Sequence, residues 1–209
     1  MAASCCNQGL DPHRGSLAYR RALLAVLAIN AAMFVVELAA GLAAGSASLQ
    51  ADALDFLGDA ANYAISLFVV RLALRYRAMA AFAKGATMGV FGIWVLATVI
   101  WHMLHGTLPS AITMGAVGFA ALAANAASFG ILWAHRAGDA NMRSAWICTR
   151  NDVLGNLAVL LAALGVFGTD TGWPDIIVAS IIAGLALQGA ALVIRHSLEE
   201  MRQPSTAAA

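Results

Sequence analysis

The sequence predicts an all-α membrane protein of six transmembrane helices with both termini cytoplasmic. Three observations carry that prediction: an apolar composition, six long apolar stretches, and a one-sided distribution of basic residues. Hydrophobic residues make up 61% of the 209 and charged residues only 11%, whereas a soluble domain carries roughly 25% charged residues. Mean hydropathy is +0.78.

A bilayer core takes about 20 apolar residues per helix, and the stretches are predicted at 20–44, 50–74, 79–104, 111–135, 142–167 and 174–195. The first ends at Gly45-Ser46, a turn dipeptide, and the second at the charged segment RLALRYR. HGTLPS closes the third, HRAGDANMR the fourth, and GTDTGWP separates the fifth from the sixth. Gly and Pro at these points are ordinary punctuation between helices.

Arg14, Arg20 and Arg21 precede or open the first stretch, and Arg71, Arg75, Arg77 and Lys84 flank the second turn. Arg136 and Arg143 flank the fourth, Arg195 and Arg202 the end of the sixth, and the other three connections carry no basic residue. Eleven of the twelve basic residues thus fall on one side, which the positive-inside rule makes cytoplasmic. The predicted organisation is a cytoplasmic tail over 1–19, a six-helix transport domain over 20–195, and a short tail over 196–209. The start MAASCCNQGLDPHR lacks the basic-then-apolar order of a cleavable signal, so the first helix is expected to be an uncleaved anchor.

A net charge of +1 says nothing about nucleic acid, and no basic run suggests such a partner. Three cysteines make no disulfide framework: Cys5 and Cys6 are adjacent, and Cys148 sits in an apolar stretch. No base–nucleophile pair and no cofactor motif points to an enzyme, and no cofactor is expected.

The informative residues are two pairs spaced i, i+4 inside apolar stretches: Asp55 with Asp59, and Cys148 with Asp152. That spacing places both members of a pair on one helix face. A carboxylate in hydrocarbon persists where it meets a partner, a wet cavity or an ion. Asp59 and Asp152 each lie about ten residues, or roughly 15 Å, into their helices from opposite sides, so the pairs share one depth. Two such faces suit one divalent cation; a carboxylate network balanced by Arg150, Lys84 or protons is the alternative. Cys148 either packs or ligates, and Asn151 competes with it, although Asn151 points about 100° away from Asp152.

Other polar residues have more ordinary expectations. Arg150 in mid-helix needs a counter-charge, with Asp52 or Glu37 as the natural partner. Glu37 is read first as part of a helix-packing salt bridge and second as a proton carrier. Asn30 and Asn62 are expected to bond across helices. His102 and His105 are expected to be solvated at an interface, and Cys5, Cys6 and His13 form either a soft-metal hook or an incidental exposed group. Gly85, Gly89 and Gly92 permit close helix contact, within one bundle or across a homodimer seam.

The segment GLAAGSASLQADALDFLGDAANYAISL resembles the first-to-second helix region of the cation diffusion facilitators, and NMRSAWICTRNDVLGNLAVLLAALGVF with WPDIIVASIIAGLAL resembles their fifth and sixth helices. The likeness covers about residues 18–197. It implies a homodimeric exporter of divalent metal, Zn²⁺ or Cd²⁺ foremost and Co²⁺ possible, driven by protons, in a bacterial inner membrane. It also implies a transport site of Asp55, Asp59, Cys148 and Asp152, in which the metal is substrate. The chain departs from that family in three expected ways. A cytoplasmic metal-sensing domain is not expected after Arg195, RLALRYR carries no His or Asp for a peripheral site, and no His-rich loop joins the fourth and fifth helices. The rival readings are a proton-coupled transporter of another cation, which would need more aromatic lining than Phe56 and Tyr63 supply, and a metal-binding membrane protein that does not transport.

Overall fold

A computed structural model describes the backbone of residues 17–69, 72–133 and 139–202; the side chains of residues 139–151 lie outside the description, as do Cys5, Cys6 and His13. Six helices follow one another: α1 (Leu17–Ala44), α2 (Ala47–Ala64), α3 (Leu74–His105), α4 (Ala111–Trp133), α5 (Asp139–Thr169) and α6 (Trp173–Arg202). A π-helical turn, Ile65–Val69, extends α2. No strand occurs among the described residues.

The connections follow from their residues. Gly45 adopts φ +64°, Ser46 N–H donates to Gly41 O at 2.9 Å, and Gly45 N–H to Leu42 O at 3.4 Å. This is the paired closure that ends a helix through a left-handed residue, where a Cβ is costly. Ser46 then caps α2, its hydroxyl accepting from Leu49 N at 3.2 Å. Two residues therefore reverse the chain. At the far end of α3, Gly106 repeats the left-handed ending at φ +62°. Ser110 N–H donates to Ala44 O at 3.0 Å, tying the α3–α4 loop to the end of α1. Pro174 sits in the first turn of α6, where its missing N–H costs nothing.

Five helices are long and apolar enough to cross a membrane: α1, α3, α4, α5 and α6. The exception is α2, which departs from the expectation of six apolar spans. Its first 18 residues include Ser48, Gln50, Asp52, Asp55, Asp59 and Asn62, and eleven of the 18 are buried. The physical reason is its place: α2 packs against α1, α3, α5 and α6, so protein and not lipid covers it. The others turn Val90, Ile93, Leu104, Ile112, Leu164 and Phe167 outward, as lipid-facing helices do.

Two apolar clusters hold α2. Ala47, Ala51 and Leu54 meet Val95 and Val99 of α3 and Ile176, Ala179 and Ala183 of α6. On another side, Leu49 meets Met114 of α4 with Val159, Ala162, Ala163 and Val166 of α5. Small residues let helices approach closely where lipid gives no hydrophobic drive for association.

The glycines of α3 were expected to serve close contact within the bundle or across a homodimer. A Cβ on Gly85 would meet Ile194 at 2.9 Å and Val193 at 3.2 Å, one on Gly92 would meet Leu187 at 2.9 Å, and one on Gly89 would lie 3.8 Å from Ala190. All three glycines face α6 of the same chain. The Gly85–Gly89–Gly92 stripe is therefore an internal α3–α6 contact, the first of the two uses expected of it.

Candidate metal centre

Two carboxylates of α2, Asp55 and Asp59, open the candidate site, and Asp52 lies one turn before them. Asp52, Asp55 and Asp59 are spaced three and four residues apart, so they share one helical face. Asp52 is fully buried, whereas Asp55 and Asp59 are only partly covered. Helix α5 supplies the opposing wall. Asp152, also partly covered, meets Asp55 in a side-chain hydrogen bond between carboxyl groups. Two ionised carboxylates can only accept, so that bond exists when one of them carries a proton.

The close approach of α5 to α2 has a local cause. Gly155, one turn beyond Asp152, lies so near α2 that a Cβ on it would sit 3.3 Å from Asp52 Oδ1. Asn156 turns its amide back on its own helix, donating to Asp152 O at 2.8 Å, and leaves its Oδ1 buried without a partner. Asp59 lies within electrostatic reach of Asp55 and of Lys84. Lys84, counted from sequence among the residues flanking a turn, is instead well inside α3, where its Nζ donates to Asn62 Oδ1 at 2.5 Å. Asn62 thus bonds across helices as expected.

One member of each pair read from sequence, Asp55 and Asp152, is therefore brought together. Cys148, Arg150 and Asn151 lie on α5, but their side chains are outside the described residues. Among the described residues no three His, Cys, Asp or Glu side chains are gathered closely enough to hold a cation together. The arrangement is a carboxylate pair with a third carboxylate and an ammonium nearby.

Three other expectations change. Asn30 does not bridge helices: its Nδ2 donates to Val26 O of α1 at 2.8 Å, and its Oδ1 is buried without a partner. Glu37 is fully buried facing the carboxyl group of Asp52, an acid against an acid where a salt bridge was expected. His102 is buried, with Asp175 within electrostatic reach, and only His105 is exposed, stacked on Trp101 at 3.8 Å.

Sequence reasoning missed Asp175. From the first turn of α6 it reaches the start of α2, accepting from Ser46 Oγ at 2.7 Å, Ala47 N at 2.8 Å, Ser48 N at 3.0 Å and Ser48 Oγ at 2.6 Å. It thereby satisfies two of the N–H groups that every helix start leaves free. An acidic residue at the head of an apolar helix was the available signal; its partner, 128 residues away, was not. Gln50 was missed as well: it donates to Ser46 O at 3.1 Å and accepts from Trp94 Nε1 of α3 at 3.3 Å.

Comparison with known proteins agrees with this architecture. Residues 23–201 match the model of the cation efflux transmembrane domain. The chain is 30% identical over 198 residues to the zinc transporter ZitB of Pectobacterium atrosepticum, covering 86% of this chain and 60% of that protein. To the zinc transporter ZitB of Escherichia coli it is 28% identical over 198 residues, covering 87% and 62% respectively. It thus spans about three fifths of the length of these curated relatives. A family match over most of the chain, on a bundle of apolar helices, makes this a multi-pass membrane protein belonging to the cation efflux family, the cation diffusion facilitators.

Proposed function

We propose that this chain exports divalent metal, Zn²⁺ first and Cd²⁺ next, in exchange for protons, through a mid-membrane site. Asp55 and Asp59 from α2 and Asp152 from α5 supply oxygen ligands, and Cys148 supplies a thiolate. The observation that supports this reading is the approach of Asp152 on α5 to Asp55 on α2, one residue from each i, i+4 pair. Four-coordinate binding suits Zn²⁺, and a thiolate also suits Cd²⁺. The zinc transporters that the chain resembles support the same choice of metal.

Proton coupling follows from ligand chemistry. A carboxylate or thiolate must lose its proton to bind metal, so an arriving proton displaces the cation. The partly covered Asp55, Asp59 and Asp152 are placed for that competition, and the one-sided basic residues argue for cytoplasmic termini. Exposing the site alternately to the two sides then moves protons in and metal out.

The test is flux in proteoliposomes carrying an imposed pH gradient, with Zn²⁺, Cd²⁺, Co²⁺ and Mn²⁺ compared. The unaltered chain should move Zn²⁺ and collapse the gradient, and Asp59→Ala and Asp152→Ala should lower flux to background while still inserting. Near-normal flux by either variant would rule out this site, and gradient-independent flux would rule out the coupling.

A further inference from the structure

Resting on the proton-coupled reading above, we propose that Glu37 and Asp52 form a separate proton site, a carboxyl–carboxylate pair that gives up its proton when the metal site fills. The observation is a buried contact left open by everything around it. Glu37 of α1 is 0% exposed and Asp52 of α2 is 2% exposed, and their carboxyl groups face each other. As ionised acceptors, both oxygens of Glu37 and Oδ2 of Asp52 meet no hydrogen-bond donor among the described residues. Burying an unpaired polar group is costly, and burying two like charges together costs more. One proton resolves both problems: it turns two facing acceptors into a donor and an acceptor and halves the buried charge.

The surroundings supply no other remedy among the described residues. Helix α4, which packs on α1, contains no ionisable side chain over residues 111–133. On α1 itself the remaining ionisable residues, Tyr19, Arg20 and Arg21, are at the opposite end from Glu37. From α2, Asp55 is within electrostatic reach of Glu37, and from α5 Asp152 is within electrostatic reach of Asp52. Lys84 of α3 reaches Asp55 and Asp59. Asp175 of α6 is occupied by Ser46, Ala47 and Ser48. The side chain of Arg150 of α5 lies outside the described residues, as do those of Asp139 and Arg143.

Position gives the pair its use. Asp52 precedes Asp55 by three residues on one face of α2, so a dication held by Asp55 lies close in a medium of low dielectric. Its field favours the doubly ionised pair, and the proton leaves as the metal binds. By reciprocity, a proton returning to the pair weakens the metal. The sealed pair and the partly covered Asp55, Asp59 and Asp152 thus divide the work: one holds a proton and the other a metal.

The experiment counts protons released per zinc ion bound, using the purified full chain in weakly buffered detergent, with zinc alone as the probe. Glu37→Gln keeps the shape and offers Asp52 a donor but no ionisable proton. It should bind zinc within about threefold of the unaltered chain and release about one proton fewer. Asp52→Asn should behave alike, and Glu37→Asp should restore release. An unchanged proton count in Glu37→Gln or Asp52→Asn overturns the pair while leaving the transport reading intact; failure of the unaltered chain to bind zinc overturns both. Should the variants not fold, the unaltered chain gives a second readout: zinc binding should remove protonated-carboxyl infrared intensity worth about two protons, one from Asp55–Asp152 and one from Glu37–Asp52, and a loss worth only about one overturns the proposal.

Discussion

Asp175 accepts from both the backbone N–H and the hydroxyl of Ser48, at 3.0 and 2.6 Å, joining α6 to α2 across 127 residues of sequence. With Ser46 and Ala47 added, one carboxylate holds the whole first turn of α2. That turn is rigidly continuous with Asp52, Asp55 and Asp59, so the anchor fixes the level at which those carboxylates sit.

Removing the anchor should destabilise the bundle. In Asp175→Ala two backbone N–H groups and two hydroxyls lose an acceptor in a buried place, a loss of about 2–4 kcal/mol. Asp175→Asn keeps one acceptor oxygen and should fall between. Thermal unfolding in detergent is the measurement, and a drop of several degrees is expected for alanine. An unfolding temperature equal to that of the unaltered chain would mean that the serines are satisfied without Asp175.

The glycines of α3 give a second prediction. Gly85→Leu places a side chain where even a Cβ meets Ile194 at 2.9 Å and Ala190 O at 3.3 Å, and overpacking of this kind costs about 1–3 kcal/mol. At Gly115 a Cβ meets nothing within 4 Å, so Gly115→Ala should be neutral or slightly stabilising. Thermal stability should fall for the first variant only. A fully stable Gly85→Leu bundle would show that α3 and α6 do not pack as described.

What the sequence made legible was whatever repeats along one helix. Apolar length located α1, α3, α4, α5 and α6, and the i, i+4 spacing picked out Asp55 with Asp59. Gly45-Ser46 read correctly as a reversal because its chemistry is local. What stayed hidden depended on distant neighbours. Nothing along α1 says that Glu37 will face Asp52 and not a cation. The direction in which Gly85 and Gly92 point is set by α6, more than 90 residues later. The polar character of α2 was read as evidence of a site. It is equally the mark of a helix enclosed by its own chain.

Cys148 should set metal preference more than transport itself. Replacing sulfur by a harder donor at one position changes the softness of the shell while leaving the three carboxylates in place. Cys148→Ser should reduce Cd²⁺ flux more than Co²⁺ or Mn²⁺ flux, by about tenfold in relative terms, and Cys148→His should favour Zn²⁺. Competition between metals in one vesicle preparation measures the ranking directly. The same ranking in both variants would make Cys148 a packing residue and leave the fourth ligand to be found elsewhere, with Asn151 the next to test.

Lys84 bears on affinity through its charge. Its Nζ donates to Asn62 Oδ1, and the ammonium acts electrostatically on Asp55 and Asp59 from α3. A resident positive charge beside a cation site opposes the incoming dication, and the repulsion is strengthened where water is partly excluded. Lys84→Gln retains a donor for Asn62 and removes the charge, so zinc binding should tighten by about tenfold, or about 1.4 kcal/mol. Tighter binding slows release, and maximal flux should fall while the zinc concentration giving half of it also falls. Lys84→Arg keeps the charge and should leave affinity close to that of the unaltered chain. Isothermal titration with zinc, alongside flux on the same preparations, separates the two effects. Equal zinc affinity in Lys84→Gln and the unaltered chain would show that the ammonium is neutralised where it sits and serves only to bind α3 to α2.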